Sequence, residues 1–423
     1  MKKSALTHSD KLGFFVITNN IKILSISHFC LMPYSTPTGY GGAAFEKPTS
    51  ALVQLGANVV VISPVPLTPF PLPHISTRWR QYSQVPQKEI VGGVPVYHPR
   101  YFSLPKSLLN SLSGYFMFKG LESVFKSDDF NFEFDLIHAH NSYPDGWGAL
   151  LLSSRYKKPF IVSARGTDID YTAKSKAGSS KLKKIYDRSA AVICPTPRIK
   201  DKVDLLFPGT RSITVCNGID LDFMATCNAG FTYSNSSKII ITSVCMLIHT
   251  KGIDLNLKAI KELVSEMKHI EVSYIIVGDG PARKELEQLA DILDLRANVT
   301  FTGNVNHDDA IRYISECDIF SMPSWQETFG LVYLEALALG KPVIGCKGQG
   351  MDTIITDNSV GLLTTPRDWL SVKSALSYLI SNPDEAKEMG IRGSKLVNDQ
   401  FTHMKNAEYT KMVYEKILQG SLA

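Results

Sequence analysis

Short apolar runs alternate along the chain with longer stretches in which apolar residues return every three or four positions. Ile21–Ile26, Asn58–Ser63, Phe134–Ala139, Phe160–Ala164, Ala191–Cys194 and Ile213–Cys216 are too short for helices and lack the polar alternation of a half-exposed strand. They predict parallel strands buried on both faces. Ile239–Val244, Tyr274–Val277, Val299–Val305, Asp318–Met322, Pro342–Gly345 and Gly361–Thr364 repeat the pattern in the second half. Ala43–Gly56, 367–381, Asp384–Gln400 and Lys405–Leu418 carry the helical period. Two such series predict two doubly wound α/β domains, in keeping with 423 residues, which exceed one ordinary core. Residues 1–20 read as an N-terminal extension, 21–226 as the first domain, 227–237 as a polar linker, 238–402 as the second domain and 403–423 as a terminal helix.

The most informative stretch is Met322–Pro342, MPSWQETFGLVYLEALALGKP. Pro323 and Ser324 close a strand, and Gly340 and Pro342 end a helix as a C′ glycine and a following proline do. Glu327 then lies in the loop before the helix, and Glu335 stands about a turn and a half inside it. The turn at Phe329, Gly330 and Leu331 leaves backbone N–H groups free at a helix start, where a phosphate is favoured. A carboxylate on each side of such a site suits a sugar nucleotide, because carboxylates accept from hydroxyls. On spacing alone, a buried helix with two solvated glutamates fits equally well.

Other segments carry weaker signals. Pro33–Gly42 is rich in proline and glycine and forms the loop of a β-loop-α-β unit. Its glycines allow close approach of backbone to a ligand. His138 and His140 suggest a metal pair, but no third ligand accompanies them. Gly278-Asp279-Gly280 follows a strand but lacks the third glycine of a dinucleotide fingerprint. Leu108, Leu109, Leu112, Tyr115 and Phe116 share one helical face beside Lys106, Lys119 and Lys126, which reads first as core and second as a lipid-facing surface.

The segment PSWQETFGLVYLEALALGKPVI resembles the E-x7-E signature of the retaining glycosyltransferases of family 4, and the likeness runs from Lys22 to about His403. The resemblance implies a GT-B fold: two Rossmann-like domains, an interdomain cleft, and a terminal helix that returns to the first domain. It implies that Glu327 contacts the donor sugar and Glu335 the ribose, and that the backbone of Phe329, Gly330 and Leu331 holds the diphosphate with Lys251. Gly41 and Gly42 would lie over the donor phosphates and the acceptor. Gly278 belongs to the family's G-[DE]-G-P turn, and Asn304 and Val305 to the segment that meets the base. His140 and Asn141 would face the cleft on the acceptor side. Asn217-Gly218-Ile219-Asp220 matches the domain crossover. Two positions depart from the family. Arg165 stands where a histidine is usual, and it can clamp a phosphate or a carboxylate but cannot act as a base. Met246 stands where an arginine is usual on the diphosphate. Glu327, Arg165 and Lys251 are the expected catalytic set.

The expected reaction moves a sugar from a nucleotide diphosphate, a UDP-sugar before a GDP-sugar, to a hydroxyl of a cell-envelope polysaccharide or lipid-linked precursor, with retention. The segments VCMLIHTKGIDLNLKAI and HAHNSYPDGWGALLLS favour the cell-envelope enzymes, the teichuronic acid type included. No cofactor or metal is expected besides the donor. Asp168-Ile169-Asp170 and Asp220-Leu221-Asp222 imitate the D-x-D metal motif of the other glycosyltransferase fold, but read here as capping carboxylates. A non-catalytic sugar-nucleotide-binding protein and a GT-B epimerase are the alternatives.

Charge adds one point. The net charge of +5 divides into +12 for residues 1–217 and −7 for the remainder. The basic half, with Lys174, Lys176, Lys181, Lys183, Lys184 and Arg188 in one segment, predicts contact with an anionic membrane and not with nucleic acid, whose binding motifs are absent. No apolar run approaches the roughly 20 residues of a membrane span, and the N-terminus does not read as a signal peptide. Seven scattered cysteines without a C-x-x-C point to buried thiols in a reducing compartment. A cytoplasmic protein in peripheral contact with the inner membrane is expected.

Overall fold

The computed structural model describes residues 20–28, 40–103, 112–227 and 238–421. Two parallel sheets organise it. The first has eight strands in the spatial order Ser212–Thr214, Ala191–Cys194, Phe160–Ser163, Leu136–Ala139, Lys22–Ile26, Asn58–Ile62, Val94–Tyr97 and Lys88–Val91. Lys88–Val91 runs antiparallel to Val94–Tyr97, and the other strands are parallel. The second has six strands, Val299–Gly303, Glu271–Val277, Lys238–Val244, Ile319–Ser321, Val343–Cys346 and Gly361–Thr364, all parallel. Each sheet starts in its middle and winds both ways. The crevice at such a reversal, beyond the carboxyl ends of the strands, is where open α/β sheets bind ligands. In the second sheet the reversal lies between Lys238–Val244 and Ile319–Ser321, and the predicted Glu327 loop leaves the latter strand.

The apolar runs form strands because helices cover both faces. Leu136–Ala139, Phe160–Ser163, Ala191–Cys194 and Val343–Cys346 are buried at every residue. The helix His403–Leu418 lies on the first sheet, where Ala407, Val413 and Tyr414 join a core with Ile23, Val59 and Val61. Each apolar side chain of that kind contributes about 1.5–3 kcal/mol when fully buried. Polar contacts fix its register: the His138 ring meets Tyr414 Oη at 2.6 Å and Lys411 Nζ donates to the Leu55 carbonyl at 2.7 Å.

The chain passes between the sheets at two adjacent places. Ile219 N–H donates to the Phe401 carbonyl at 2.9 Å, and His403 N–H donates to the Ile219 carbonyl at 3.2 Å. A Cβ on Gly218 would lie 2.2 Å from the Thr402 carbonyl, so the two passes touch at a residue that admits no side chain. The helix Leu221–Cys227, assigned by the sequence to the first domain, packs in the second, with Met224 in a core with Ile311 and Phe329. Its apolar residues find their cover there, which moves the domain change to Gly218. Most of the predicted linker, 228–237, lies outside the described residues.

The predicted apolar stripe near residue 112 also needs correction. In the helix Ser113–Val124 the buried face is Met117, Leu121 and Val124, whereas Leu112 and Tyr115 are 45% and 49% exposed. Gly114 and Gly120 let this helix sit close to Trp147 and Tyr101, which turns the larger neighbouring side chains outward. Lys106, Leu108 and Leu109 lie outside the described residues.

Candidate active site

Glu327 lies just before the helix Leu331–Ala338 and is held from several sides. Its carboxylate accepts from Lys251 Nζ at 2.7 Å and from the Thr328 N–H at 3.2 Å. Both members of the ion pair are mostly buried, with side chains 18% and 14% exposed. Its own N–H donates to Gln349 Oε1 at 3.1 Å, and its carbonyl accepts from Gly350 N–H at 3.2 Å and Arg198 Nη2 at 3.1 Å. Lys251 stands in the turn His249–Lys251, after the strand Lys238–Val244. Neighbouring strands of the sheet thus deliver a cation and a carboxylate to one point.

The helix that follows has no side-chain cap. Gly330 takes a left-handed conformation, with φ of 82°, and a Cβ there would lie 2.5 Å from the Tyr333 ring. Only glycine fits that turn, and it opens the first N–H groups of the helix to an anion. The Phe329 side chain is core, 3% exposed and packed with Phe320 and Tyr333, so this residue offers the site only its backbone. Glu335 accepts from His307 Nε2 at 3.0 Å, and the His307 ring stacks on Phe223 with centroids 5.1 Å apart. The hydrogen bond and charge of Glu335 raise the His307 pKa above its ordinary value, against the opposing effect of burial.

The remaining second-domain residues follow the sheet edge. The N–H of Gly278 donates to Gly303 at 3.0 Å, and Asn304 is exposed beside half-buried Val305. Met246 is 61% exposed. Gly41 and Gly42 lie in the first turn of the helix Tyr40–Gln54, which starts three residues earlier than the sequence suggests. Residues 29–39 of the preceding loop lie outside the described residues.

On the first-domain wall, Arg165 donates from Nε to the His140 carbonyl at 3.0 Å. Burial lowers its pKa, while the charges of Asp168 and Asp145 oppose that shift. His138 on the strand Leu136–Ala139 and His140 just beyond it lie on one side, and their rings stack with centroids 4.0 Å apart. His140 Nε2 meets Ser25 Oγ at 2.7 Å, and His138 Nε2 meets Ser163 Oγ at 2.8 Å. Burial, with the charge of Arg165, pushes His138 down to about 3, so the pair is neutral at ordinary pH. Asn141 is buried and donates to Asp145 at 3.3 Å, so it braces the wall. Asp145 also takes the His28 ring at 2.7 Å. A cavity of about 140 Å³ joins Arg165, His140, Asn217 and Gly218 to Leu331 and His403, and so connects the first-domain wall to the start of the glutamate helix.

Three of the four carboxylates in the two D-x-D look-alikes are engaged internally, and Asp222 is exposed. Asp168 accepts from Ser142 Oγ at 2.9 Å and the Arg165 N–H at 3.1 Å. Asp170 accepts from Lys202 Nζ at 2.6 Å, and Asp220 from Lys47 Nζ at 2.9 Å. Among the described residues no group of three or more His, Cys, Asp and Glu side chains is placed to hold a metal ion.

Sequence reasoning missed Arg198, His307, Gln349 and Gly350. His307 opens a helix directly after the predicted base-binding strand, and that position was its available signal. Arg198 lies 129 residues before its partner, with no periodic cue.

Comparison with known proteins bears on the family and the fold. Residues 49–223 match the family Glycosyltransferase Family 4, and residues 231–396 match Glycosyl transferases group 1. The putative teichuronic acid biosynthesis glycosyltransferase TuaC of Bacillus subtilis is 26% identical over 420 residues, which covers 95% of this chain and all of the relative. The N-acetyl-alpha-D-glucosaminyl L-malate synthase of Bacillus anthracis is 25% identical over 67% of this chain and 75% of its own length. Among solved structures, sucrose-phosphate synthase from Thermosynechococcus elongatus superposes with a TM-score of 0.75 at 19% identity, covering 95% of this chain and all of that one. Anabaena HepE in complex with UDP gives a TM-score of 0.67 at 17% identity, over 94% of this chain and all of that one. With the two doubly wound sheets and the paired glutamates of the second, these matches show that the chain is a glycosyltransferase of family 4 with the GT-B fold.

Proposed function

We propose that the enzyme transfers a sugar from a nucleotide diphosphate to a hydroxyl of a cell-envelope polysaccharide or lipid-linked precursor, with retained anomeric configuration. The observation that carries this reading is the Lys251–Glu327 pair beside the uncapped start of the helix Leu331–Ala338, with Glu335 at its fifth position. The helix start and Lys251 together would stabilise the negative charge that develops on a departing diphosphate. Glu327 would receive the sugar hydroxyls and Glu335 the ribose. A UDP-sugar is favoured, as HepE has been solved with UDP-glucose.

Retention is expected to proceed on one face of the sugar, with the leaving phosphate taking the acceptor proton. The acidic groups of the first-domain wall do not suit a covalent route, because Asp145 is tied to His28 and Asn141, and Asp168 to Ser142 and the Arg165 backbone. The cell-envelope acceptor follows TuaC. Peripheral contact with an anionic membrane on the cytoplasmic side would place the basic half against lipid, with exposed Phe102, Leu112 and Tyr115 as apolar contacts. Among the described residues no helix is long and apolar enough to cross a membrane.

The test is a panel of UDP- and GDP-sugars. A true donor nucleotide at 100 times its Kd stabilises the fold by about 2.7 kcal/mol in a thermal shift. The anomeric configuration of the transfer product is then read by NMR. An inverted product, or no stabilisation by any nucleotide diphosphate, counts against the proposal.

A further inference from the structure

Three consecutive residues of the glutamate loop touch the first domain. Gln326 Nε2 donates to Tyr171 Oη at 2.6 Å. Arg198 Nη2 donates to the Glu327 carbonyl at 3.1 Å. Thr328 lies so close to Gly166 that a Cβ there would be 2.3 Å from its Oγ1. Gly166 has a φ of 86°, which adds backbone strain to any substitution. The first-domain side is itself braced. Asp170 lies between Lys202, at 2.6 Å, and Arg198, at 3.9 Å. Arg198 stands at the second position of the helix Pro197–Leu206, whose first turn is fixed by Thr196 Oγ1 accepting from the Ile199 N–H at 3.2 Å.

The Arg198 guanidinium is poorly satisfied for its depth. Among the described residues its buried Nε has no hydrogen-bond partner, and its side chain is 21% exposed. Such an N–H costs stability and is retained where another interaction requires the group. The guanidinium meets the Asp170 carboxylate at 3.9 Å within its own domain and, at the shorter distance of 3.1 Å, the Glu327 carbonyl of the other. Lys251 and Gln349, which hold the carboxylate and the N–H of Glu327, belong to the second domain and travel with it, whereas Arg198 belongs to the first.

We infer that Arg198 is a positioning residue which, when the domains meet, pins the Glu327 carbonyl and so orients the Glu327 carboxylate toward the donor sugar. This rests on the role proposed above for Glu327. Binding of the nucleotide uses the second domain and does not need Arg198. The sugar-transfer step needs the loop locked, and the lock is completed across the cleft.

The experiment compares the wild type with Arg198→Met, Arg198→Lys and Tyr171→Phe. UDP and GDP binding is measured by calorimetry, hydrogen exchange over residues 325–331 by mass spectrometry, and turnover on the donor that the panel identifies. Arg198→Met is expected to lower kcat ten- to a hundredfold, the range for a lost hydrogen bond to a charged group, with the nucleotide Kd within twofold. Exchange in the loop should rise at least fivefold. Arg198→Lys should recover part of kcat and of protection, and Tyr171→Phe should show a smaller loss of the same kind. Unchanged exchange and kcat in both Arg198→Met and Tyr171→Phe would overturn the inference. So would a nucleotide Kd weakened more than tenfold, which would make Arg198 a donor ligand. If the wild type binds no nucleotide diphosphate, the functional reading fails by itself, and the exchange data still decide whether Arg198 holds the loop.

Discussion

The two glutamates were legible as a pair, and the resemblance placed Lys251 in the same site, but its direct contact with Glu327 and the partnership of His307 with Glu335 were not legible. Lys251 lies 76 residues from Glu327, and only the order of strands in the sheet brings them together. The roles proposed for the two glutamates differ. Glu327→Gln should lower kcat much more than it weakens nucleotide binding, whereas Glu335→Gln should cost about 1–3 kcal/mol of nucleotide affinity. Equal losses of UDP affinity would refute that division. Arg165 and Met246, the two departures from the family, can be tested as a pair. Arg165 lines a cavity shared with Leu331, at the start of the glutamate helix, so its charge stands where a diphosphate contact from the first domain would form. Arg165→Ala should lower kcat strongly, and adding Met246→Arg should recover part of the loss. An additive double-mutant cycle would separate the two positions.

Histidines give the fold a pH dependence with a definite sign. Burial holds His138 down at about 3 and His403 at about 4, against 6.5 for an exposed imidazole. Between those values and 6.5 the unfolded chain binds protons that the native chain refuses, so stability is full above pH 6.5 and falls as the pH drops. Each unit of difference is worth about 1.4 kcal/mol. His28 acts in the opposite sense. Burial lowers its pKa, but the charge and hydrogen bond of Asp145 outweigh that and raise it, so its contribution is complete below 6.5 and disappears above its raised value. Acidification from pH 7 to 5 should therefore lower Tm by about 2–4 °C, and His28→Gln, which removes the opposing group, should enlarge the drop. A flat Tm over that interval would refute the neutral buried pair.

At the scale of elements, the central parallel strands followed directly from the apolar runs, because a strand covered on both faces has no polar position to confuse the reading, whereas Lys88–Val91 and Val94–Tyr97, less deeply covered at the sheet edge, were not foreseen. Helix positions were legible, but helix orientation was less so. In Ser113–Val124 Gly114 and Gly120 share the inner face with Met117, Leu121 and Val124, since close packing against Trp147 requires the absence of a side chain, while Leu112 and Tyr115 face outward. The terminal helix is coupled to the cleft wall by the Tyr414–His138 contact. Tyr414→Phe leaves a buried imidazole nitrogen without its partner and should cost about 1–3 kcal/mol. Urea unfolding measures this, and a loss below 0.5 kcal/mol would mean that the contact is not needed. The crossover was harder to read, because the helix Leu221–Cys227 has enough apolar residues to pack against either domain.

For the whole molecule, the charge asymmetry was visible in composition, but its local use was not. Lys183 pairs with Asp187 at 2.8 Å, and Lys181 lies 4.6 Å from the centre of the Tyr143 ring, so part of the basic segment is engaged within the fold. The long-range field of the first half remains. Vesicles containing anionic lipid should retain the protein at low salt and release it at high salt. Changing Leu112 and Tyr115 to serine should weaken retention without lowering Tm, because both side chains are about half exposed. Equal binding to neutral and anionic vesicles would remove the electrostatic part of the proposal.

The two adjacent passes at Gly218 and Thr402 have a mechanical consequence. A single connecting strand can bend and twist freely, so two bodies joined by one wander relative to each other. Two parallel segments bonded through Ile219 behave as a leaf spring: they flex across their width and resist torsion. Any motion between the domains should thereby be reduced toward an arc about one axis. Along such an arc Tyr171, Arg198 and Gly166 would return to the same three loop residues on each closure, and the accuracy of the clasp would be set at the crossover, where Gly218 and His403 line the same cavity as Arg165 and Leu331.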